Sequence, residues 1–114
     1  MDALIIVNTV VASPGEENTI KLYSVPKGYV LRVERVAVSF PRGSGGKVKV
    51  QVRAGNLSAY PDIGYFSGDG YTVEVKKDKE FSEDTTLALY YKNEDDIEQL
   101  FTYVIEGTVV KSER

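Results

Sequence analysis

Cysteine, histidine and tryptophan are absent from this 114-residue chain, and methionine occurs once. Without cysteine there is no disulfide framework, no thiolate zinc site and no Cys nucleophile, so the core holds the fold without covalent staples and an oxidising compartment is not required. Without histidine the commonest general base, the commonest transition-metal ligand and the usual near-neutral pH switch are gone, which excludes Ser-His-Asp and Cys-His catalysis. Long hydrophobic runs are lacking too: Leu4-Ile5-Ile6-Val7 stops at Asn8, and no basic segment precedes it. That is short of a signal core or a membrane span. The expectation is a soluble chain made in the cytoplasm, with no membrane partner and its final location left open.

What is present is β-forming residue types. Sixteen valines and eight tyrosines fall in short alternating runs between Gly, Pro, Asn and Asp clusters, a period of two rather than 3.6. Residues 47–54 are the clearest case, with Val48, Val50, Val52 and Ala54 on one face and Lys47, Lys49, Gln51 and Arg53 on the other. Further strands are expected over residues 3–11, 19–25, 29–40, 63–66, 71–77, 86–92 and 101–110. The linker Pro41-Arg42-Gly43-Ser44-Gly45-Gly46 has the chemistry of a chain reversal and predicts a hairpin between 29–40 and 47–54. Within 29–40 the apolar parity switches from Leu31 and Val33 to Val36, Val38 and Phe40, which predicts a bulge or bend near Glu34-Arg35. Residues 93–100 have the acids and caps for one helical turn. The whole reads as a single all-β domain over 1–114: an antiparallel two-sheet sandwich, jelly-roll-like, of about eight strands.

Residues 20–40, with Val25-Pro26-Lys27-Gly28 between two strands and alternating aliphatics after it, resemble small β-sandwich, jelly-roll-like structural proteins of phage and archaeal-virus particles. The resemblance implies a virion or assembly component, and it carries over no functional residue. The low Asn and Gln content, with dense Lys and Glu, resembles that of thermophile proteins.

No catalytic residue, metal ligand or cofactor is assigned. Carboxylate-pair hydrolysis needs neither His nor Cys, and Glu34, Glu74, Glu98 and Glu106 are conceivable members, but their spacing does not set two of them about 5–10 Å apart across a cleft. Ser67-Gly68-Asp69-Gly70 and Asn93-Glu94-Asp95-Asp96 offer hard oxygens without the spaced EF-hand pattern. Gly43-Ser44-Gly45-Gly46-Lys47 has the composition of a phosphate loop without its order or its following helix.

Three surfaces are candidates for binding. Tyr60, Tyr65, Phe66 and Tyr71 flank the long irregular stretch 55–70 and could stack on a sugar or fill a partner's pocket, the basis of a carbohydrate- or ligand-binding alternative. Arg32, Lys47, Lys49 and Arg53 are expected on the solvent face of one hairpin; the acidic balance of the whole chain, pI about 5.0, argues against nucleic acid. Residues 1–56 carry a net charge of +4 and 57–114 of −7, so the same cations suit the acidic loops of a second copy. The terminal strands are apolar on both faces. Ile5 and Val7 in the first, and Val104 and Ile105 in the last, are therefore expected at a homo-oligomer interface. The function expected is a non-enzymatic structural or assembly protein acting as a homo-oligomer.

Overall fold

In the computed structural model, which describes residues 2–112, the alternating segments form nine strands. They are β1 (Asp2–Ala12), β2 (Glu17–Ser24), β3 (Tyr29–Ser39), β4 (Val48–Ala54), β5 (Leu57–Tyr60), β6 (Thr72–Val75), β7 (Lys79–Phe81), β8 (Thr86–Asn93) and β9 (Gln99–Lys111). One sheet, sheet A, runs β1-β9-β3-β6, with β7 also on β3; the other, sheet B, runs β2-β8-β4-β5. All pairings are antiparallel. The pairs nest: first with last, second with second-last, β3 with β6 and β7, β4 with β5. That is one long folded ribbon wrapped over itself, a jelly roll, and β6 and β7 are two halves of one interrupted strand.

The core follows strand parity. Leu31, Val33, Val36 and Val38 from β3 and Phe101, Tyr103 and Ile105 from β9 face Val48, Val50, Val52, Leu87 and Leu89 of sheet B, all buried. Each such aliphatic contributes about 1.5–3 kcal/mol by leaving water. Both parities of β3 point inward because the register on β9 shifts between Val33 and Arg35; the extra residue, Glu34, is the expected bulge. Val73 and Val75 on the short β6 are half-buried, and Tyr71 is exposed.

Three expectations are corrected. First, residues 29–40 and 47–54 do not form a hairpin. Both edges of β3 are taken, by β9 on one side and by β6 and β7 on the other, so the glycine linker carries the chain over the end of the sandwich into sheet B. Its amides hold the chain's own carboxylate: Gly43 and Gly45 N–H donate to Asp69 at 2.6 and 3.3 Å, a small anion nest. Second, the hairpin that does form is β4–β5, turned by Gly55-Asn56 alone, with Gly55 at φ 62°. A two-residue turn with a positive-φ glycine is the favoured hairpin connection. It places the edge strand at 57–60 rather than 63–66, where only Phe66 bridges to Val50. Third, residues 94–98 form no helix. The buried Asn93 side chain organises that loop, its Nδ2 lying 3.1 Å from Ala12 O and 2.9 Å from Ile97 O, while its Oδ1 accepts from the Asp95 amide at 3.0 Å.

Candidate functional site

The solvent face of sheet A is built from the outward parity of β1, β9, β3 and β6, and its composition varies in rows. Val7, Val104, Ala37 and Glu74 stand side by side in register, and the next row is Thr9, Thr102, Ser39 and Thr72. In that second row the hydroxyls meet in pairs, Thr9 Oγ1 to Thr102 Oγ1 at 2.9 Å and Ser39 Oγ to Thr72 Oγ1 at 2.7 Å. Val11 lies opposite Leu100, and Ile5 opposite Glu106. Beside Ile5, Arg35 bridges Glu74 at 2.5 Å and Glu106 at 3.2 Å; the guanidinium contact holds the Glu74 carboxyl below its usual range. The apolar members are left in water: Ile5 is 65 % exposed, Val7 58 %, Val11 52 % and Leu100 47 %. A monomer of two layers has no third layer to cover them.

Of the four expected interface residues, Ile5 and Val7 are exposed here and Val104 is half-buried between Val7 and Ala37. Ile105 is a correction: it points inward with Phe101 and Tyr103 and is fully buried, because adjacent residues on a strand face opposite ways.

The expected aromatic row also needs correction. Tyr60 and Phe66 are core residues, filling the gap that the short β5 leaves at the edge of sheet B. Tyr60 Oη donates to Lys77 O at 2.5 Å, and burial pushes its hydroxyl pKa up to about 12, with Asp78 and Asp62 adding to the shift. Tyr65 and Tyr71 are exposed but separate. Tyr65 lies 5.9 Å from the ring of Tyr90 on the outside of sheet B, whereas Tyr71 lies against Gly68.

The basic residues are split between the two sheets. Arg32 projects from β3 in sheet A and meets Glu80 at 3.5 Å, while Lys49 and Arg53 project from β4 in sheet B. Lys47, in the loop before β4, lies 3.8 Å from Asp95 of the acidic 93–98 loop. The hairpin that was to unite them does not exist. On sheet B, Arg53 is held by Gln51 Oε1 at 2.8 Å and lies 3.9 Å over the Tyr90 ring, and Lys49 Nζ donates to Gly46 O at 2.8 Å. The register sets Lys92 beside Lys49. Tyr90, missed in the sequence, is the hub of this face, and its contacts with Tyr65 and Arg53 had no local signal because the three residues come from different segments.

The carboxylates weighed for chemistry stand on an open sheet face and in loops, and two of them, Glu74 and Glu106, are brought together on one arginine. Glu74 and Glu106 flank Arg35 on the open face of sheet A, and Glu34 accepts from Thr108 Oγ1 at 3.2 Å. In the two acidic loops, Asp69 is held by backbone amides, and Asp95 accepts from Gln99 at 2.9 Å and from the Asp96 amide. A depression of about 240 Å³ at one end of the sandwich is lined by Tyr29, Val30, Ser82, Glu83 and Ser112. Among the described residues no helix is long and apolar enough to cross a membrane. No protein-family model and no curated protein matches the chain.

Proposed function

We propose that this chain is a non-enzymatic structural module that works by associating with copies of itself, as a subunit of a virion or comparable assembly. The observation that carries this reading is the set of aliphatics Ile5, Val7, Val11 and Leu100 standing in water on one face of sheet A, on either side of the Thr9–Thr102 row. Solvent-facing aliphatics gathered on one sheet face mark a surface that is covered in the working state. The jelly-roll strand order supports the same reading, although lectin domains and cupins share that architecture. The carbohydrate-binding alternative loses two of its four rings to the core.

Sedimentation velocity over about 1–100 µM, the range in which modest interfaces form, tests it. The expected result is a mass above the monomer that persists when salt is raised, because apolar contact dominates. Val7→Glu should lower that mass while leaving the β-sheet circular dichroism unchanged, since Val7 faces solvent, and the unfolding midpoint should fall only by what the lost association contributed. A wild-type monomer at every concentration overturns the proposal.

A further inference from the structure

The four outer edges of the two sheets are not equivalent. The β2 edge carries Glu17 and Lys21 and a register shift between Lys21 and Tyr23. The β5 edge is four residues long, is shifted against β4 and runs into Pro61. The β6–β7 edge is broken by Lys76-Lys77-Asp78. Charge, bulges, proline and short length are the devices that keep an edge from pairing. β1 has none of them beyond Asp2 at its start: it is eleven residues long, pairs with β9 without a register shift, and carries no charge or proline from Ala3 to Ala12.

The direction of its free amides follows from two contacts. The Thr9 amide donates to the Asn8 side chain at 2.8 Å, and the Thr9 and Thr102 hydroxyls meet at 2.9 Å. Both mark Thr9–Thr102 as a close, non-hydrogen-bonded pair, so the Thr9 N–H and C=O point away from β9. Alternate residues share that direction, which turns the amides of Ala3, Ile5 and Val7 toward the open edge. Asn8 occupies the Thr9 amide, so the edge available for pairing is 3–7.

From this we infer that β1 pairs edge-to-edge with β1 of a second copy, antiparallel, about a two-fold axis through Ile5. In that register Ile5 faces its own copy and Ala3 faces Val7, all with amides turned to the partner, while Leu4 faces Ile6 on the inner side. A second copy is the occupant because segment 3–7 is uncharged and apolar on both faces, so laying it against itself opposes no like charges and joins the two exposed Ile5–Val7 bands into one. The inference rests on the self-association reading and names its geometry.

The absence of cysteine makes the test clean. Ile5→Cys places the single thiol of each chain about 5.5 Å, Cα to Cα, from its copy, within disulfide reach. Val11→Cys places them about 40 Å apart. Under mild oxidation, Ile5→Cys should run as a linked dimer and Val11→Cys as a monomer. Val7→Pro removes an outward amide without touching the β9 ladder. It should weaken the dimer by about tenfold or more with β-sheet circular dichroism retained. Cross-linking through Val11→Cys but not Ile5→Cys, or wild-type dimer mass in Val7→Pro, overturns edge pairing and leaves self-association standing. A wild-type monomer at 100 µM removes both.

Discussion

The hydroxyl of Tyr60, at the end of β5, donates to the carbonyl of Lys77, 2.5 Å away in the gap between β6 and β7. The same oxygen lies 3.4 Å from Val33 O, at the β3 bulge. The bulge in one strand and the break in its neighbour sit at the same level of sheet A, where ladder bonds are interrupted, and a side chain from sheet B closes the gap. Tyr60→Phe keeps the ring and strips the donor from the part-buried Lys77 carbonyl, so it should cost about 0.5–1.5 kcal/mol in urea unfolding. Loss well below that range would show the carbonyl to be satisfied otherwise.

Gly107 on β9 marks a close approach. A Cβ there would lie 2.4 Å from Arg32 O and 3.1 Å from Val33 Cα, both backbone atoms at the start of the bulge. Nothing nearby is a flexible side-chain end that could move away. Gly107→Ala should therefore destabilise by about 1–3 kcal/mol, read as a lower unfolding midpoint, with the loss concentrated in faster hydrogen exchange along β3 and β9.

Leu89 on β8 is fully buried in the middle of sheet B, paired with Val52 and Ile20. Leu89→Ala should cost about 2–5 kcal/mol, transfer and cavity terms together. Equilibrium denaturation checks this, and a cost under about 1 kcal/mol would contradict the two-sheet core.

Asp62 is held by Lys77 at 2.7 Å and by Lys79, and these hydrogen bonds lower its pKa from 3.8 to about 2. A carboxylate depressed in the folded state contributes stability that is present above its unfolded value and lost as pH falls through its folded one. The window is therefore about pH 4 to 2, and Asp62→Asn should flatten the acid limb of the stability curve there. Tyr60 has the opposite sign. Raised from 10.0 to about 12, it contributes stability that is intact below pH 10 and lost as pH climbs through 12, so Tyr60→Phe should flatten the alkaline limb.

Local rules in the sequence determined the strand content, the inward parity of β4 and β8 and the bulge at Glu34, because a period of two and a parity switch are properties of neighbouring residues. They also determined that Ile5 and Val7 face opposite to Leu4 and Ile6. The turn at Gly55-Asn56 was legible as well, a two-residue glycine signal overlooked beside the longer glycine tract at 43–46. Which strands pair, however, is settled between segments tens of residues apart. Residues 29–40 and 47–54 carry the local signal of a hairpin, and the competition of β9, β6 and β7 for the edges of β3 overrode it. That competition sent Arg32 to one side of the sandwich and Lys49 and Arg53 to the other, drew Tyr60 and Phe66 into the core, and left β1, among the described residues, as a long edge without charge, bulge or proline from Ala3 to Ala12. Edges and faces are relations among strands, so no window of sequence contains them.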